Sequence, residues 1–286
     1  MTETQLPPRL KGIQIKLQRA YDHLIDLEKR VAHFVYHRRY EILSELNADS
    51  TELSARINFL QKPAVEAWGG IVGDFVHNLR SALEHVAWQV VDANGGAVGR
   101  DVKFPIYQRE SDYVAWRTAD PKRRKRDPFA GVDPRAIDAV EAEQPYARED
   151  GDPADHPLSL LNAMWNRDKH QILTPVVLNF PAPYEFFVHG GAMVRTFIGF
   201  GIRDFEPEPE AEPNESEAFR VTGRLDDGQH LVTYAGRVTG PNPEIYVQGD
   251  LTPEVCLDEE RILTDILLTL HRAVTETAER LAVFLV

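Results

Sequence analysis

Apolar residues recur at steps of three and four through Leu10, Ile13, Leu17, Ala20, Leu24, Leu27, Val31, Phe34 and Val35. That spacing lines up one face of an α-helix. It predicts a first amphipathic helix running to about residue 39. Residues 41–48 and 51–60 are shorter runs joined by Asn47-Ala48-Asp49-Ser50, a turn-forming tetrad, and read as a β-hairpin. Pro63 suits the first turn of a second helix that continues to about residue 92 and is ended by Asn94-Gly95-Gly96.

The stretch 97–156 reads mostly as connecting structure. One short helix is expected near 134–143, with Asp133 as its cap and Pro134 at the first helical position. Another follows over about 157–169, opened by Pro157. Runs at 172–180, 184–189, 193–200, 218–224, 230–237 and 244–248, punctuated by Gly and Pro, predict an antiparallel sheet. Within them, residues 204–217 (DFEPEPEAEPNESE) form an acidic low-complexity loop. Ile262, Leu263, Ile266, Leu267, Leu270, Val274, Ala278, Leu281 and Leu285 then define a last helix reaching the C-terminus.

Each long helix carries one apolar stripe that must be buried, and packing the stripes together satisfies all of them. The expected fold is α+β: a helical bundle built from both chain ends, with an antiparallel β-sheet inserted before the last helix. The bundle would draw on residues 10–93, 134–170 and 257–286 and the β-rich insertion on 171–250, so residues 1–286 read as one elaborated domain.

Composition narrows the setting. Hydrophobic residues make up 43% of the 286, enough for a sizeable core. The single cysteine, Cys256, forms no internal disulfide and cannot found a cysteine-based zinc site. The N-terminal segment MTETQLPPRLKG lacks the apolar region of a secretory signal, and no apolar run approaches the roughly 18 residues of a membrane span. A cytoplasmic protein without membrane contact is expected. The net charge of −13 is uneven: residues 1–130 carry +3 and residues 131–286 carry −16. An acidic total argues against tight, nonspecific duplex binding and leaves room for contact with a single strand.

The second helix carries the candidate chemistry. At about 100° per residue, Asn78, Ser81, His85 and Trp88 all fall within about 40° of Asp74. His77, Glu84 and Arg80 form an adjacent stripe, and Ile71, Phe75, Leu79, Ala82, Val86 and Val90 fill the opposite arc. Arg80 followed by His85 on one helix resembles the motif of the HEPN superfamily, many of whose members are metal-independent endoribonucleases or nucleotide-binding proteins. The resemblance implies that Arg80 stabilises charge on a scissile phosphate and that His85 acts as general acid or base while a ribose 2′-hydroxyl attacks. It also implies RNA or a nucleotide as partner, a defence or toxin setting, and a homodimer that builds the site from two copies. The residue types suit the chemistry: histidine titrates near neutrality and arginine is a permanent phosphate-binding fork. The plainer alternative pairs Arg80 with Glu84 one turn on and leaves His85 at the core edge. The stretch HNLRSALEHVAW with the later NRDKH is also similar, over about residues 10–178, to a set of actinobacterial and phage-borne proteins, which implies no activity.

Asp168, Lys169 and His170 close the 157–169 helix. They read either as a helix end or, with Asp74, His77, Asn78, Ser81 and Glu84, as binding residues of a polar pocket. Asp74-x-x-His77 has the spacing seen in di-metal bundles but lacks a second such pair, so no metal and no cofactor are expected. The basic run Lys122-Arg123-Arg124-Lys125-Arg126 reads as an exposed loop. A non-catalytic interaction protein and a metal-binding bundle stand as alternatives to the ribonuclease.

Overall fold

The computed structural model describes residues 8–37, 40–118, 120, 126–148, 151–173, 175–178, 185–189, 195–197, 227–228, 230–235, 244–248, 254–257 and 263–285. Among them are six α-helices: α1 (Pro8–Tyr36), α2 (Val65–Ala93), α3 (Glu110–Arg117), α4 (Pro134–Ala142), α5 (Pro157–Asp168) and α6 (Leu263–Leu281). The strands are β1 (Tyr40–Leu46), β2 (Glu52–Phe59), β3 (Val176–Leu178), β4 (Glu185–His189), β5 (Arg195–Phe197), β6 (His230–Ala235), β7 (Glu244–Gln248) and β8 (Glu254–Cys256). The architecture is α+β, with helices at both chain ends and the antiparallel sheets before the last helix. The chain divides into two compact units. One holds Met1–Glu28, Glu66–Thr174 and Thr264–Val286, the other Lys29–Val65 and Pro175–Leu263.

The first unit is the helical one. Its core is the set of stripes read from the sequence: Ile13, Ala20, Leu24 and Leu27 on α1, and Leu267, Leu270, Val274 and Leu281 on α6. α2 contributes fifteen buried residues. Helices from opposite chain ends meet directly. His271 of α6 lies 3.2 Å from the Leu17 carbonyl of α1, and its ring stands 5.6 Å from that of Tyr21. Arg9 of α1 reaches Gln89 and Asp92 of α2. Burying each stripe against the next supplies the main stabilising term.

Helix ends follow their sequence signals. The end of α2 is a Schellman turn: Gly95 takes φ +88°, and the Gly96 amide donates to the Val91 carbonyl at 3.0 Å. Asn94 ties this end to α6 by donating to the Phe284 carbonyl at 2.9 Å. Asp133 caps α4 by accepting from the Arg135 amide, with Pro134 at the first helical position. α5 uses His156 as its cap: Nδ1 accepts from the Leu158 amide at 3.1 Å. Burial first, then the Arg148 charge, holds the His156 pKa below its ordinary value, which keeps the ring neutral and able to accept.

In the second unit β2 lies between β1 and β6, both antiparallel to it. Its burial alternates, with Leu53, Ala55, Ile57 and Phe59 inside. The β1–β2 turn is held by Asn47 Oδ1, which accepts from the Thr51 and Glu52 amides at 2.9 Å each. β4 lies between β5 and β7, and β3 pairs with β8.

Four expectations on boundaries change. α2 starts at Val65, so Pro63 precedes it instead of occupying its first turn. α3 lies within the stretch expected to be connecting structure; it buries only Tyr113 and so shows no stripe. β8 was not expected at all. The last helix ends at Leu281 and tightens into a 3₁₀ turn over Ala282–Phe284. The 218–224 run, the acidic stretch 204–217 and residues 122–125 of the basic run lie outside the described residues.

Candidate functional site

Three close approaches to α2 are made at glycine. A Cβ on Gly69 would lie 2.7 Å from the Leu173 carbonyl oxygen, and one on Gly73 would lie 2.5 Å from Asp168 Oδ1. The chain leaving α5 therefore runs against α2 at two positions one turn apart. Gly70, between them, faces open space. On the α1 side, a Cβ on Gly12 would lie 2.7 Å from His85 Nδ1. Lys16 Nζ reaches Asn78 Oδ1 at 3.4 Å.

Arg80 is 6% exposed. Its Nη2 donates to the Phe104 carbonyl at 2.8 Å and stands 2.7 Å from Glu84 Oε1. Glu84 Oε2 in turn accepts from the Phe104 amide at 3.1 Å. The pair thus clamps both backbone groups of one residue in an extended segment. Gln144 repeats the device nearby, donating to the Pro105 carbonyl and accepting from the Tyr107 amide. Burial lowers the Arg80 pKa, with Glu84 and then Tyr107 opposing. On the other side of the guanidinium is Trp165 of α5, whose ring centroid is 5.1 Å from Cζ. Lys169 Nζ lies 3.0 Å from the same centroid.

The residues singled out from the sequence fall into four groups. Arg80, Glu84 and Lys169 meet around Trp165. Asp168 sits against Gly73 on α2. Asp74, His77 and His85 are exposed on α2, and Ser81 is half-buried among them. Asn78, in the same stripe, is buried and donates to the Asp74 carbonyl at 2.8 Å. Ser81 Oγ is 3.5 Å from His77 Nε2. His170 is exposed at the end of α5, its amide bonded to the Arg167 carbonyl.

Arg80 and His85 leave α2 about 140° apart. Within one chain the arginine is engaged in the interior while the histidine faces outward. The pairing of Arg80 with Glu84, one turn apart, is the one the plainer alternative expected. Among the described residues no group of three His, Cys, Asp or Glu side chains is placed to hold a metal, and Asp74 with His77 stands exposed and incomplete as a ligand set.

Sequence reasoning missed Trp165, Lys103, Phe104 and Gln144. Trp165 precedes Lys169 by one helical turn, a spacing that was readable. The other three sit on non-helical backbone and carried no periodic signal.

No family model matches the chain, and no curated protein or solved structure matches it either. Fold and site together define the class: an α+β protein with a glycine-contacted central helix and a cation-rich cluster around one indole. Among the described residues no helix is long and apolar enough to cross a membrane.

Proposed function

We propose that this chain is a nucleotide- or RNA-binding protein that does not itself cleave its ligand. The observation that carries the reading is the engagement of Arg80. A guanidinium that is 6% exposed and pinned through Nη2 to Glu84 and the Phe104 carbonyl is shielded from a transferring phosphoryl group. The partner class comes from the HEPN resemblance of residues 77–88 and is supported by the cations gathered beside Arg80.

A second reading is favoured by one feature. His85 is exposed beside Ser81 and His77, where it is open to proton transfer. A ribonuclease on this plan is a homodimer in which a second copy supplies the phosphate-binding charge. One assay separates the readings: incubation of the purified chain with single-stranded RNA in EDTA. The binding reading expects RNA to be retained and left intact, by wild type and by His85→Ala alike. Cleavage leaving 2′,3′-cyclic phosphate ends, lost by about 10²-fold or more in His85→Ala, establishes the ribonuclease instead.

A further inference from the structure

Beside Arg80 the fold gathers positive charge around one ring. Lys169 Nζ and Arg80 Cζ lie 3.0 and 5.1 Å from the Trp165 centroid. They are therefore no more than about 8 Å apart, close enough for like charges to repel. Lys103, exposed and next in the chain to the Phe104 that Arg80 and Glu84 clamp, adds a third positive charge beside them. Glu84, the nearby acid that opposes this, has its carboxylate already engaged by Arg80 and the Phe104 amide.

The cations are poorly satisfied. Among the described residues, Lys169 has only the neutral Asn166 Oδ1 as acceptor, at 3.2 Å. Lys103 has none. Two of the three Arg80 guanidinium nitrogens, Nε and Nη1, are buried without a hydrogen-bond partner although the residue is only 6% exposed. Like charges held this close repel one another, and an anion placed between them relieves the repulsion. The Lys169 ammonium shows the strain: desolvation on the ring, then Arg80, then Lys103, lower its pKa.

We infer that Lys169 and Lys103 bind the phosphate group of a small ligand beside the Trp165 ring, above the fixed charge of Arg80. Both lysines are exposed, so an arriving phosphate engages them by drawing the Lys169 ammonium off the ring, without unpacking the core. Trp165, half-buried, senses the event because Lys169 leaves its ring. This deepens the binding reading and rests on it.

The test uses the full chain labelled with ¹⁵N. Inorganic phosphate and AMP are titrated at constant ionic strength, with adenosine as the phosphate-free arm. The indole N–H of Trp165, assigned with Trp165→Phe, is followed against the other three tryptophans. The expected result is a saturating shift of Trp165 alone with phosphate and with AMP, and none with adenosine. Lys169→Gln and Lys103→Gln each weaken binding about tenfold, while Lys62→Gln, in the other unit, leaves it unchanged. The site is overturned if neither phosphate nor AMP saturates the shift, if adenosine shifts it equally, or if Lys169→Gln binds as wild type does. A filter-binding arm with RNA separates the two readings. RNA held equally by wild type and Lys169→Gln overturns this site and leaves the binding reading standing. Phosphate bound at Trp165 without any RNA retention supports the site and confines the ligand to small phosphates.

Discussion

α2 shows two ways of carrying charge on one helix. On one side Arg80 is buried, clamps Phe104 with Glu84 and lies against Trp165. On the other, Asp74, His77 and His85 stand exposed with few side-chain partners. Side-chain type does not separate the two, since both sides look functional on a helical wheel. What separates them is which other segments arrive. The 102–107 segment and α5 close over Arg80, while α1 touches the other side at Arg9, Gly12 and Lys16 and leaves Asp74, His77 and His85 exposed. A charged residue that other segments close over becomes part of the frame, and one they leave open stays free for chemistry.

Removing each side in turn separates the two faces of α2. Arg80→Ala leaves the Phe104 carbonyl and Glu84 Oε1 without the guanidinium that faces them. It is expected to cost about 3 kcal/mol in urea denaturation. His85→Ala removes an exposed ring and is expected to change stability by less than about 0.5 kcal/mol. Equal losses in the two variants end the distinction drawn between the faces.

The glycines of α2 sharpen it next. Gly69→Ala and Gly73→Ala push a methyl against the Leu173 carbonyl and the Asp168 carboxylate. Each is expected to destabilise by about 1–3 kcal/mol, Gly69→Ala the more because backbone yields less than a side chain. Gly70→Ala has open space and an α-helical position, so it is expected to stabilise by up to about 1 kcal/mol. Thermal melts of the three variants check the order. A destabilised Gly70→Ala means that this stripe is covered by something in solution.

Much of the fold was legible because long helices repeat their signal. Nine apolar positions mark α1 and seven mark α6, and Asn47 fixed the hairpin turn through its own hydrogen bonds. The pairing of β2 with β6 was not legible, because it joins Glu52 to Ala235 across most of the chain and leaves no local trace. α3 escaped because eight residues with one buried side chain show no period. For the site, the common helical phase of Asp74, Asn78, Ser81 and His85 does not give them one exposure: Asp74 and His85 are exposed, Ser81 is half-buried and Asn78 is buried. The same wheel left Arg80 on the charged arc, because the residues that bury it, Phe104 and Trp165, come from segments whose approach no wheel contains.

The smallest expected effect probes how firmly His85 is held. A Cβ on Gly12 would lie 2.7 Å from His85 Nδ1, a side-chain atom on an exposed ring. Such a ring can swing aside, whereas the carbonyl that faces Gly69 cannot. Gly12→Ala gains helix propensity of about 0.8–1 kcal/mol and loses part of it by displacing the ring, so the single variant is expected within about 0.5 kcal/mol of wild type. In a His85→Ala background the ring is gone and the same substitution should show its full propensity gain. The coupling between the two, read from a double-mutant cycle in urea, is then about 0.5 kcal/mol and unfavourable in sign. A coupling near zero shows the ring already free of Gly12. A coupling above about 2 kcal/mol shows His85 locked against α1, and an imidazole so held belongs to the frame with Arg80 rather than to the exposed face.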